Sequence, residues 1–177
     1  MRFVIGTRGS RLALAQAEYV QQKLQDRYPE HEFELRIIKT KGDKIQNKSL
    51  AAIGDKGLFV KEIERELLDG EIQLAVHSMK DMPGEIPDEL CFADAWERED
   101  PRDVLILREA KSLAELPQGA TIGTGSKRRA FQLLALRPDL KIVDIRGNVD
   151  TRLNKTHEQK LDGIVLAAAG LKRLHME

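Results

Sequence analysis

The sequence predicts an α/β fold in two domains, each built on parallel strands with flanking helices. Three observations carry that expectation. Strand-like and helix-like apolar patterns alternate along the whole chain, which implies parallel pairing through crossovers. The segment Trp96-Glu97-Arg98-Glu99-Asp100-Pro101-Arg102-Asp103 is densely charged and broken by proline, so the crossing between domains falls there, with residues 1–98 as domain 1 and 99–177 as domain 2. An echo links the halves: Ile5-Gly6-Thr7 leads into a helix at Ser10, and Ile122-Gly123-Thr124 leads into one near Lys127.

Arg2 to Ile5 reads as a strand, followed by a Gly6-Thr7-Arg8-Gly9-Ser10 turn. Ala13, Ala17, Val20 and Leu24 then recur at helical spacing until Pro29 stops the helix. Phe33, Leu35 and Ile37 alternate with Glu34 and Arg36, a second strand. Lys39 to Asp55 is polar, lacks periodicity and reads as a long loop. Leu58 to Leu68 returns to a helix, with Val60, Ile63 and Leu67 on one face and Gly70 as its C-terminal cap. Leu74 to Val76 is a short apolar strand, and the Pro83/Gly84/Pro87 cluster forces a loop after it. In the second half, Val104 to Leu107, Thr121 to Gly123, Lys141 to Ile145 and Gly163 to Ala167 read as strands. Lys127 to Leu136 and Val149 to Lys160 read as helices.

Composition excludes several function classes. With 29 Lys+Arg against 29 Asp+Glu, the chain lacks the basic field of a nonspecific nucleic-acid or membrane-surface binder. Aromatics are only 5% of residues, too few for base stacking. No apolar run reaches membrane-spanning length, and the single cysteine, Cys91, fits a reducing compartment; the expectation is a cytoplasmic protein. Gly54-Asp55-Lys56-Gly57 lacks P-loop spacing and there is no dinucleotide glycine fingerprint. The four histidines show no metal-ligand spacing with Cys91, so no metal is expected; His77 reads as a packed histidine and Cys91 as a buried apolar residue.

What remains points to an anion-binding crevice. Val76-His77-Ser78-Met79-Lys80-Asp81-Met82-Pro83 sets an acid and a base on a turn at a strand end, where open α/β sheets face their ligands. The plain alternative is a solvated loop with a helix cap. Arg8, Ser126-Lys127-Arg128-Arg129 and Arg146-Gly147-Asn148-Val149-Asp150-Thr151-Arg152 each join a strand end, a small-residue turn, a helix N-terminus and a guanidinium. A cation there opposes the helix dipole unless an anion lies nearby. Several arginine forks suit a ligand with several carboxylates, although ordinary ion pairs with the chain's own acids would also account for each one.

Seven colinear segments resemble the porphobilinogen deaminase (hydroxymethylbilane synthase) family. They are Thr7-Arg8-Gly9-Ser10, Gly54 to Glu62, Val76 to Asp81, Glu97 to Asp103, Gly123 to Arg129, Arg146 to Arg152, and Ala169-Gly170-Leu171-Lys172-Arg173-Leu174. The resemblance implies two domains of the type II periplasmic-binding-protein fold, each a mixed, mostly parallel sheet with flanking helices and the active site in the cleft between them. It implies a transferase of tetrapyrrole (haem) biosynthesis. Four porphobilinogen molecules are condensed with loss of ammonia into hydroxymethylbilane on a dipyrromethane primer. By resemblance Asp81 is the catalytic carboxylate. Arg8, Ser10, Ser78, Lys80, Thr124, Ser126, Arg128, Arg129, Arg146 and Gly147 hold the cofactor, while Arg8, Lys56, Arg146, Arg152 and Arg173 grip substrate.

The family anchors its dipyrromethane to a cysteine in a third domain and returns after domain 2 to complete domain 1; neither part matches this sequence, and Cys91 lies in no matching context. The expectation is therefore a truncated form, inactive alone, of a monomeric enzyme that meets porphobilinogen and the growing polypyrrole but no nucleic acid or membrane. The competing class is a noncatalytic two-lobed module that closes on a polyanion.

Overall fold

A computed structural model describes residues 1–44 and 57–177, which divide into one compact unit ending at Glu97 and a second at Arg98–Glu177. In the first unit, β1 (Arg2–Thr7) lies between β2 (Glu32–Ile37) and β3 (Leu74–Ala75), and both pairings are parallel. Ile5 and Thr7 of this central strand are completely buried. Helix α1 (Arg11–Arg27) opens on Ser10, whose side chain accepts from the Ala13 N–H, and buries Ala17. Its Gln21 and Gln25 amides donate to the Phe33 and His31 carbonyls, so the helix is tied to β2 by polar bonds as well as packing. Ile37, in phase with buried Phe33 but at the end of an edge strand, is 57% exposed.

A short helix, α2 (Lys41–Lys44), lies within the stretch expected to be loop; residues 45–55 of that expectation, and Lys56, lie outside the described residues. Helix α3 (Lys61–Leu68) starts later than the periodicity suggests, because Gly57 to Val60 form a turn closed by the Val60 and Lys61 N–H groups on the Gly57 carbonyl. Ile63 packs with Ile38 and Ile72 in the core, and Gly70, at φ 72°, ends the helix as expected. After β3 the chain makes a 3₁₀ turn at Met79–Asp81. Residues 91–98 are exposed, and among the described residues no strand pairs with them. Cys91 is therefore exposed, not buried.

The second unit has a four-stranded sheet in the order β4 (Asp103–Leu107), β7 (Gly163–Ala167), β5 (Thr121–Gly123), β6 (Lys141–Val143). Ile164 and Leu166 of β7 face one apolar cluster with Ile145, Leu161 and Leu171. Val165 faces the other, with Leu116, Ala120, Ile122 and Leu140. Burial on both faces explains the unbroken apolar run of this strand. Three helices flank the sheet: α4 (Lys127–Leu136), α5 (Val149–Glu158) and α6 (Ala168–Arg173), the last not legible as a helix in the sequence pattern.

β5, β6 and β7 are parallel, but β4 runs antiparallel to β7, with Asp103 opposite Ala167 and Leu107 opposite Gly163. Alternating strands and helices suggest parallel pairing in each half, and β4 departs from that; the sheet is the mixed, mostly parallel one that the family resemblance implies. No helix lies between Leu107 and Thr121 to carry the chain back across the sheet, so β4 must end at the edge where β5 begins. Among the described residues no helix is long and apolar enough to cross a membrane.

Candidate functional site

In the first unit the expected residues gather where β1 and β3 end side by side. The β1 exit presents Arg8 and Ser10; the β3 exit presents Ser78, Lys80 and Asp81. The Ser78 hydroxyl donates to Gln16 Oε1 at 2.7 Å, which ties the β3 turn to α1, and the Asp81 N–H closes the 3₁₀ turn on the Ser78 carbonyl at 2.9 Å. His77 reports the neighbourhood electrostatically. Burial pushes its imidazole down, the Asp81 carboxylate pushes it up and the Arg8 guanidinium pushes it down again, leaving it below the ordinary histidine value. Arg8 and Asp81 thus act on one imidazole from opposite signs. Lys80 is exposed on the same turn.

Arg8 is mostly withdrawn from solvent, its side chain 17% exposed. Its Nη2 lies 2.5 Å from Asp43 Oδ1, and its Cζ lies 4.1 Å from the centroid of the Phe59 ring. Burial raises the Asp43 carboxyl, but hydrogen bonds from Arg8 and Thr40 lower it more, so it lies below the usual carboxylate range.

In the second unit the expected residues line the edge where β5, β6 and β7 end. Thr124 is buried; its N–H donates to the Val143 carbonyl and its Oγ1 accepts from the Ser126 N–H at 3.2 Å. Ser126 caps α4 by accepting from the Arg129 N–H. Arg128 and Arg129 share one carboxylate: Arg128 Nη1 is 2.7 Å from Asp103 Oδ2, and Arg129 Nη2 is 2.7 Å from Oδ1. Arg129 also donates from Nη1 to the Val165 carbonyl, and only 12% of its side chain is exposed. Asp103 reaches both because β4 is antiparallel, which sets its first residue beside the last residue of β7.

After β6, Arg146 and Gly147 make the turn into α5. The Gly147 carbonyl accepts from Arg152 Nε at 2.8 Å and the Arg146 carbonyl from Lys155 Nζ at 3.0 Å, so two cations hold this turn. Gly147 has φ 118°, and a Cβ on it would lie 2.8 Å from Thr151 Cβ. Gly147→Val in the full-length protein is accordingly expected to cost about 1–3 kcal/mol; an unchanged urea midpoint would show that the turn relaxes freely. Arg173 sits in the last turn of α6, where its charge, with that of Lys172, helps lower the Glu99 carboxyl after the larger effect of the Asp100 N–H.

The structure therefore assembles two groups, one at the sheet edge of each unit, while Lys56 lies outside the described residues. It also changes the meaning of two arginine clusters. The anion that a guanidinium at a helix N-terminus calls for is supplied to Arg8 by Asp43 and to Arg128 and Arg129 by Asp103. Those acids, with Phe59 and Gln16, escape sequence reasoning. Asp103 sits in the charged crossing without a periodic signal, and Asp43 sits in a stretch without any periodicity at all. The hydroxyls of Ser10 and Ser126 serve as caps, yet a capping hydroxyl that accepts can still donate its own hydrogen.

Comparison with known proteins gives a consistent answer. A porphobilinogen deaminase of Clostridioides difficile is 62% identical over 178 residues, covering 100% of this chain and 59% of the relative. That of Lachnospira eligens is 64% identical over 176 residues, covering 98% and 60%. The chain thus spans about three-fifths of the length of these relatives. Among solved structures, the BvgS VFT2 domain of Bordetella pertussis matches 97% of this chain and 67% of its own at TM-score 0.50 and 16% identity. That likeness shows the fold, α/β of the type II periplasmic-binding-protein class. The family model described as "Porphobilinogen deaminase, dipyromethane cofactor binding domain" matches residues 3–177, and the chain belongs to the porphobilinogen deaminase family.

Proposed function

We propose that this chain is the part of a hydroxymethylbilane synthase that holds a dipyrromethane primer and joins porphobilinogen units to it with loss of ammonia. The observation that carries this reading is the convergence of the β1 exit, with Arg8 and Ser10, and the β3 exit, with Ser78, Lys80 and Asp81, at one sheet edge of a chain of this family. Porphobilinogen and dipyrromethane carry acetate and propionate groups, and each edge offers donors that suit them: on the first, half-buried Arg8, exposed Lys80 and the hydroxyls of Ser10 and Ser78; on the second, exposed Arg128, half-buried Arg146, Arg152 and Arg173, and the hydroxyls of Thr124 and Ser126. When bound there, a dipyrromethane would supply the nucleophilic pyrrole carbon for the first condensation.

Loss of ammonia leaves a cation on the incoming pyrrole, and a fixed carboxylate lowers the energy of that charge as it develops. Asp81 takes this role because the 3₁₀ turn holds its backbone at the sheet edge where β3 ends. It also receives and returns the protons that the departing amine and the pyrrole carbon exchange. A neutral His77, favoured by its lowered pKa, adds no competing positive charge. Arg146 and Arg152, tied to one turn, grip carboxylates of the growing chain, with Lys56 and Arg173 as further cations. We read the protein as a cytoplasmic monomer.

Mass spectrometry of the full-length protein tests this. A covalent adduct of dipyrromethane mass is expected; a bare polypeptide that nevertheless binds a polycarboxylate would instead favour the two-lobed receptor.

A further inference from the structure

We propose that Asp43, together with Phe59, is a positioning residue that aims Arg8 at a ligand carboxylate. The inference rests on the proposed function and on the grip of ligand carboxylates that the family resemblance implies for Arg8. Asp43 Oδ1 accepts from Arg8 Nε at 3.2 Å and from Nη2 at 2.5 Å, so one side of the guanidinium fork is occupied. The Phe59 ring covers its face at 4.1 Å. An edge contact and a face contact together fix both the position and the plane of the group. A guanidinium has five N–H donors, more than Asp43 takes, and the remainder can point to a ligand.

A carboxylate on an arginine could instead be a placeholder that leaves when a ligand arrives. The surroundings of Asp43 oppose that. Its Oδ2 accepts from the Thr40 hydroxyl at 2.8 Å and from the Thr40 N–H at 3.3 Å, and Thr40 is completely buried. Leaving Arg8 would break those bonds as well. Phe59 is anchored too: the Gly42 N–H donates to the Leu58 carbonyl at 2.8 Å, and a Cβ on Gly42 would overlap the Phe59 ring. Glycine at 42 is what lets the ring lie against α2 and under Arg8. The lowered Asp43 carboxyl agrees with a charge kept in place.

The two roles predict opposite signs. Replacing a placeholder releases Arg8 and tightens substrate binding, whereas replacing a positioning group weakens it. In the full-length protein, Asp43→Asn is expected to raise the KM for porphobilinogen roughly tenfold while kcat changes by less than about threefold. Asp43→Glu should recover part of the loss. Phe59→Leu, which keeps the carboxylate and removes the ring, should raise KM by roughly two- to fivefold. A KM that is unchanged or lower in Asp43→Asn overturns the proposal.

A second readout does not depend on turnover. The Arg8 Nε–H resonance should be protected from solvent exchange in the wild type and lose that protection in Asp43→Asn; equal protection in both also overturns the proposal. If the wild-type protein shows no turnover, the proposed function fails, and the Arg8 resonance still decides whether Asp43 holds this guanidinium.

Discussion

Asp81→Asn in the full-length protein is expected to lower the rate of ammonia release from porphobilinogen by roughly 10²–10³-fold, the loss typical of removing one group aimed at developing charge. Asparagine keeps the shape and the 3₁₀ turn, whose backbone bond comes from the Asp81 N–H to the Ser78 carbonyl, so the fold should survive. Asp81→Glu should fall between, because the charge remains but its position moves by a methylene. His77 provides an internal check. Asp81 pushes the imidazole up, so in Asp81→Asn its pKa should drop further below the ordinary value, observable by NMR titration. A variant with the His77 shift but the wild-type rate would place Asp81 correctly and refute its catalytic role.

The second large effect is on stability. Asp103→Asn removes the one charge shared by Arg128 and Arg129 and leaves two neighbouring guanidiniums facing each other, one of them nearly buried. The expected cost is about 1–3 kcal/mol, between exposed and buried pairs, measured as a fall in the denaturant midpoint. Its pH dependence has a definite sign. Burial raises the Asp103 carboxyl and the two arginines lower it more, so its folded value is depressed. The stabilisation is then full above the unfolded carboxylate range, about pH 4, and lost as pH falls through the depressed value. Between those limits the wild type should lose stability more steeply than Asp103→Asn; parallel acid profiles would show that the shared carboxylate contributes little.

Much of the architecture was legible from apolar spacing. Ala17 on the buried face of α1, the stop at Gly70 and the buried run Gly163 to Ala167 all appear where periodicity and turn chemistry put them. The antiparallel β4 was not, because strand direction is set by the connection and not by the strand's own residues; the clue was the absence of a helical pattern between Leu107 and Thr121. Cys91 is exposed for a related reason. Its apolar neighbours Leu90 and Phe92 suggest burial, but burial needs a partner surface, and local sequence does not supply one. At the sheet edges the strand-end turns and their arginines stood out. Their counter-ions did not, since Asp43 lies 35 residues from Arg8 and Asp103 lies 26 from Arg129.

The place of β7 also bears on the order of assembly. It follows the other described strands of its sheet in chain order, yet it lies inside that sheet and is the partner of both β4 and β5. During synthesis β4 must wait, unpaired, for a partner about 60 residues behind it, whereas the described strands of the first sheet are all present once Ala75 has emerged. At roughly 5–20 residues per second, the interval from Ala75 to Ala167 lasts about 5–20 s. A nascent chain paused before Gly163 should therefore be cut readily at the apolar β4 edge, and protection of that edge should begin only once Ala167 has emerged.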